Sequence, residues 1–191
     1  MTQIVHIINP VKVSETSDLF FAQPITFESL RKAKDFSTKK EQIKLVTTQF
    51  EEDLEIIPID FQKLSNLSRS VLDVNSSLKG KKLPLIADIL AKTKEVNRCD
   101  FVLYTNMDIA VMPQFYDVLF EYINQGHDAV IINRRCIKTT YKTVDKLPLM
   151  YSDLGKSHPG FDCFLFKREL LEKLILDEIC IGIPFLEVSL I

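Results

Sequence analysis

The stretch Phe101-Val-Leu-Tyr-Thr-Asn-Met-Asp-Ile109 decides how the rest of the chain is read. Phe101 to Tyr104 is a short apolar run of aromatic and β-branched character, the pattern of a strand buried on both faces of a parallel sheet. The run turns polar at Thr105, Asn106 and Asp108. Open α/β sheets bind ligands at the carboxyl ends of their strands, which is where these residues emerge. Asn106 and Asp108 are two apart, so in extended backbone their side chains point to the same side. A carboxylate and an amide oxygen converging there suit a hard divalent cation that also holds phosphate oxygens. The same residues equally suit an ordinary turn before a helix, because Pro113 opens a helical pattern shortly after.

On the C-terminal side, Phe115, Val118, Leu119, Tyr122 and Ile123 recur at i, i+3, i+4, i+7 and i+8, the spacing of a buried helix face, with Gly126 as terminator. Asp128 to Asn133 reads as the next strand, and Arg134 and Arg135 stand at its carboxyl end, either meeting an anion or facing solvent. Residues 137–157 read as an irregular polar connection, and His158-Pro-Gly160 as a turn. Asp162 precedes an apolar strand, Cys163 to Phe166, and Lys167 to Leu176 reads as a helix. On the N-terminal side, Pro84 sits at a helix start, with Ile86, Ile89, Leu90 and Val96 on one face.

The first strand is expected over Gln3 to Ile8, stopped by Asn9-Pro10, because proline cannot continue a central ladder. The loop from Asn9 to Phe21 is then a ligand rim or a plain connection. A helix is expected from Thr26 as N-cap to Phe36, then a strand over Ile43 to Thr48 and a short one over Leu54 to Ile59. Asp60 to Lys82 is irregular, with a partly helical stretch around Leu67 to Val74. Its Arg69, Lys81 and Lys82 either approach a diphosphate or form a solvated face. The alternation of strands and helices predicts an α/β fold with a mostly parallel central sheet flanked by helices, in a single domain over residues 1–191.

Composition narrows the function classes. Hydrophobic residues are 46% and charged residues 26%, enough for a real core. A net charge of −2 gives no electrostatic case for nucleic acid. No apolar run reaches the length of a membrane span, and Met1-Thr-Gln-Ile-Val lacks the pattern of a signal peptide, so the cytoplasm is the expected compartment. The four cysteines and three histidines show no metal-ligand spacing, so no zinc site is expected. The five glycines form no phosphate-binding fingerprint.

Taken in order, these stretches resemble the GT-A type nucleotide-diphospho-sugar glycosyltransferases. Asp100-Phe-Val-Leu-Tyr-Thr-Asn-Met-Asp-Ile109 is similar to the strand that ends in that family's metal-binding Asp-x-Asp motif. Pro113-Gln-Phe-Tyr matches the helix that follows the motif, and Lys82-Leu-Pro-Leu-Ile-Ala-Asp-Ile-Leu90 fits the helix that precedes it. Gly160-Phe-Asp-Cys-Phe-Leu-Phe-Lys-Arg-Glu-Leu170 resembles the acceptor-side segment. The resemblance implies a Rossmann-like GT-A fold. It also implies a metal-dependent glycosyltransferase that moves a sugar from a nucleotide-diphosphate donor to a carbohydrate or other hydroxyl acceptor.

In that reading Asp108 binds Mn²⁺ or Mg²⁺ with Asn106 as helper. Asn9 and Pro10 hold the nucleotide, and Lys82 or Arg134 assists the phosphates. His158 and Gly160 border the site, with fixing the turn as the alternative for His158. Asp162 orients the acceptor hydroxyl or acts as general base, with turn capping as its alternative. Asn106 departs from the family, standing where the first Asp is often found. The chain also stops before the segment in which many members carry a further metal ligand, commonly a histidine. Either a shorter form suffices, the chain is a piece of a longer one, or transfer activity has been lost. The alternative function is a non-catalytic nucleotide- or sugar-binding domain of the same fold. A nucleotidyltransferase comes last, because Asn9 to Phe21 has no glycine and no arginine.

Overall fold

The computed structural model describes residues 1–76, 82–182 and 190. Strands β1 (Ile4–Ile8), β2 (Ile43–Thr47), β3 (Gln62–Lys63), β4 (Phe101–Thr105), β5 (Ala129–Cys136) and β6 (Lys156–Lys167) form a six-stranded sheet in the order β3-β2-β1-β4-β6-β5. β1 pairs in parallel with β2 and β4, and β2 in parallel with β3. β6 is antiparallel to both β4 and β5, so it alone runs against the others. The expected α/β fold with a mostly parallel sheet is therefore what forms.

The helices are α1 (Asp18–Phe36), α2 (Val71–Val74), α3 (Ile86–Ala91), α4 (Phe115–Asn124), α5 (Leu147–Ser152) and α6 (Arg168–Leu171). Side chains alternate across the central strands, and both sets are apolar, so the sheet needs cover on both faces. One face carries Ile4, Ile8, Leu45, Leu103 and Leu165 against Phe27, Leu30 and Ala33 of α1 and Tyr116, Leu119 and Phe120 of α4. The other carries Val5, Ile7, Val46, Val102 and Tyr104 against Ile86, Ile89 and Leu90 of α3. No helix among the described residues is long and apolar enough to cross a membrane.

Several elements depart from the expectations above. α1 begins at Asp18, capped by Ser17, and carries Pro24 in its interior. Residues 18–23 are themselves helix-compatible, and an interior proline removes only one backbone bond. Thr26 is thus no N-cap. The apolar stripe of α4 is rotated from the expected phase. Tyr116, Leu119 and Phe120 are buried, whereas Val118 and Tyr122 are exposed beside Asp117 and Glu121. Glu51–Ile56 is a 3₁₀ helix rather than a strand near Leu54 to Ile59, opened by three acidic residues that favour a helical first turn.

Residues 137–157 contain α5, which has its own small core. Leu147 and Met150 pack on Ile25 of α1, a contact no local pattern announces. The helix expected over Lys167 to Leu176 shrinks to the single turn of α6. The His158-Pro-Gly160 turn is instead part of the long strand β6. Lys81 lies outside the described residues.

Candidate functional site at the carboxyl ends of β4 and β5

Because β1, β2, β4 and β5 run the same way, their carboxyl ends share one edge of the sheet. β6, running against them, brings its first half to that same edge. The last pair between β4 and β6 is Thr105 with Cys163, which makes Asn106 and Asp162 the next facing positions. β5 adds the third side through a bulge. Ile132 pairs with Cys163 but Asn133 pairs with Phe161, leaving Asp162 as the extra residue. A second irregularity sets His158 to Gly160 opposite Arg134. Bulges of this kind re-aim side chains, and here they turn Asp162 and His158 toward the end of β4.

The result is one connected polar chain. The Tyr104 hydroxyl donates to Asn106 Oδ1 at 2.8 Å, and Asn106 Nδ2 donates to Asp162 Oδ1 at 2.7 Å. Arg134 donates from one terminal nitrogen to Asp162 Oδ2 at 2.8 Å, and its other terminal nitrogen lies 3.0 Å from His158 Nε2. The Gly160 backbone N–H donates to His158 Nδ1 at 2.9 Å. Asp162 is only 7% exposed, so this pair and amide contact are what offset its desolvation.

Asp108 completes the charge set. Its carboxylate reaches solvent, yet protein atoms crowd its inner side. That desolvation, followed by the repulsion of Asp162, raises its carboxyl above the usual range, and Arg134 opposes the rise. The loop that carries it is pinned from α1. Thr26 Oγ1 donates to the Met107 carbonyl at 3.0 Å, and the Val111 N–H donates to Ser29 Oγ at 3.1 Å. Thr26 and Ser29 are both essentially inaccessible.

Other expected residues lie elsewhere on the edge or face inward. Asn9 is buried, and its Nδ2 donates to the Thr48 carbonyl at 2.7 Å, tying β1 to β2. Pro10 is buried beside it. Lys82 is paired to Glu52 at 2.8 Å and stands 3.9 Å above the Phe50 ring. The loop after β1 is clamped. Gln23 accepts from Val11 N–H and donates to Val11 O, at 2.9 and 2.8 Å, and Asp53 accepts from Lys12 N–H at 2.7 Å. Burial raises the Asp53 carboxyl above its ordinary range.

The sequence reading missed Tyr104, Thr26, Ser29, Gln23 and Asp53 as supports of this edge. Tyr104 had a signal, since residues two apart on a strand share a side. The others act across long separations and had none.

Asp108, Asp162 and Arg134 give the cluster a formal charge of minus one with His158 neutral. The donor set is hard oxygen, and the guanidinium already stands as a countercharge on one carboxylate. Among the described residues no group of three or more His, Cys, Asp or Glu side chains is gathered for a metal. Mg²⁺ commonly takes one or two carboxylates and completes its shell with water and substrate phosphates. One carboxylate, that of Asp108, is thus compatible with a cation that takes the rest of its shell from elsewhere.

No protein-family model matches the chain, and no curated protein matches it. Solved structures do resemble it. Bifunctional IspDF from Campylobacter jejuni superposes with a TM-score of 0.51 at 13% identity, over 99% of this chain and 47% of that one. Rv0371c from Mycobacterium tuberculosis superposes with a TM-score of 0.50 at 11% identity, over 93% of this chain and 77% of that one. A cytidylyltransferase from Leptospira borgpetersenii superposes with a TM-score of 0.45 at 14% identity, over 91% and 63%. The chain spans about half the length of IspDF. At these identities the likeness to IspDF and Rv0371c shows a shared fold.

Proposed function

We propose that this chain is a transferase domain that moves a sugar from a nucleoside-diphosphate donor to a hydroxyl acceptor with the help of a divalent cation. The observation that carries this reading is the meeting of Asp108, Asp162 and Arg134 at the carboxyl end of β4. Asp108 is the residue that would hold the cation, with diphosphate oxygens completing its shell. A bound Mn²⁺ or Mg²⁺ would offset the negative charge that collects on the departing diphosphate. Arg134 has further N–H donors beyond the one spent on Asp162, and these suit a phosphate oxygen. Asp162 orients the acceptor hydroxyl or accepts its proton, on the side of the site that β6 supplies.

A second reading has its own observation. Both Asp162 oxygens are occupied, one by Asn106 and one by Arg134. A carboxylate so held is poorly placed to take a proton, which favours a nucleotide- or sugar-binding domain without turnover. Nucleotidyl transfer is less favoured. The Val11 and Lys12 N–H groups at the β1 exit are spent on Gln23 and Asp53 rather than offered to a triphosphate.

The test is release of nucleoside diphosphate from a panel of nucleotide sugars with MnCl₂ and a mixture of sugar acceptors. Turnover that falls by about a hundredfold or more in Asp108→Asn, and in Asp162→Asn with donor binding kept, is the expected result. Donor binding with no turnover under any acceptor would leave the binding-domain reading in its place.

A further inference from the structure

Asn106 stands two residues before Asp108, where a carboxylate would give a cation a second charged ligand. Its amide is instead oriented from both ends. The Oδ1 end receives the Tyr104 hydroxyl at 2.8 Å and the Nδ2 end gives a hydrogen bond to Asp162 at 2.7 Å. An ionised carboxylate only accepts, so a flipped amide would set two oxygens against each other. Tyr104 is 2% exposed, with its ring in the core shared with α3, so its hydroxyl reaches the site from a fixed support. Burial keeps that phenol in its protonated, donating form. An aspartate at 106 would face Asp162 and Asp108 with Arg134 as the guanidinium already bound among them.

We propose that Asn106 serves this site as a hydrogen-bond donor that presents the Asp162 carboxylate, rather than as a cation ligand, and that Tyr104 is the positioning residue that holds it in that orientation. The role rests on the transferase reading above, but the orientation itself can be read without it.

The test titrates MnCl₂ and a panel of nucleoside diphosphates into wild type, Asn106→Asp, Tyr104→Phe, Asn106→Ala and the Tyr104→Phe/Asn106→Ala double variant. Thermal melting confirms folding, and Tyr104→Phe keeps the buried ring. Asn106→Asp loses affinity although it adds a carboxylate. Tyr104→Phe loses about threefold to tenfold in the native background, and little further once Asn106 is alanine. Tighter cation binding in Asn106→Asp would make residue 106 a ligand position and overturn the proposal. An equal loss from Tyr104→Phe in both backgrounds would reduce Tyr104 to general support of the core and overturn it too.

The side-chain amide signals of Asn106 in ¹⁵N-resolved NMR supply the independent readout. They shift in Tyr104→Phe if the hydroxyl holds the amide, and unchanged signals overturn the proposal. A wild type that binds no nucleoside diphosphate removes the transferase reading and the role at the site, and the amide signals then decide the orientation alone.

Discussion

His6 shows what a single buried group imposes on this molecule. It lies in the middle of β1, 1% exposed, with Nδ1 at 2.7 Å from the Tyr116 hydroxyl and Nε2 at 2.8 Å from Thr105 Oγ1. A neutral ring donates from one nitrogen and accepts at the other, and both hydroxyls can rotate to suit. Burial lowers its pKa from 6.5 to about 3. The unfolded chain therefore binds the proton more readily than the folded one. The neutral ring's contribution is fully present above pH 6.5 and is lost as pH falls from there toward about 3. Urea melts across that window should show stability falling by up to about 1.4 kcal/mol per pH unit from this residue. His6→Gln should remove that part of the slope. An unchanged slope in the variant would mean the acid sensitivity arises elsewhere.

Elements explain why the fold was readable and the site only half so. The largely apolar runs of β1, β2 and β4 identify themselves, because strands buried on both faces are near-continuously hydrophobic. The change to polar residues after Thr105 was legible as the end of such a run, but Met107 and Asp108 form a turn rather than the extended backbone that the two-apart spacing assumed. Arg134, His158 and Asp162 were each noticed singly. What joined them was not legible, because a bulge is set by pairing between β5 and β6 rather than by local composition. The phase of α4 was lost because its sequence is apolar nearly all round, and only Asp117, Glu121 and Asn124 mark the wet side.

Two glycines give the elements a direct check. Gly126 ends α4 at φ +90° with nothing within 4 Å of an added Cβ, so Gly126→Ala should cost only backbone strain, about 1–2 kcal/mol. Gly155, at φ +58°, would place a Cβ 2.6 Å from the Cys136 carbonyl oxygen where β5 and β6 diverge. Gly155→Ala should therefore be the more destabilising in thermal melts, and the reverse order would contradict the β5–β6 geometry.

At the scale of the molecule, two apolar layers enclose the sheet and leave its carboxyl edge as the place where polar chemistry is concentrated. α1 contributes to both tasks. Its Phe27, Leu30 and Ala33 build the core, while Thr26 and Ser29 pin the loop bearing Asp108 and Gln23 clamps the loop after β1. The edge is thus held by framework contacts before any ligand arrives, which lowers the ordering cost of binding. The cluster's formal charge of minus one makes the central claim sharp, since a diphosphate should enter only with a cation. The measurement that tests this most directly is calorimetric titration of a nucleoside-diphosphate panel, with and without MnCl₂, on wild type and Asp108→Ala. The account predicts binding that requires the metal and disappears in the variant. Binding that ignores the metal, or that survives in Asp108→Ala, would contradict it.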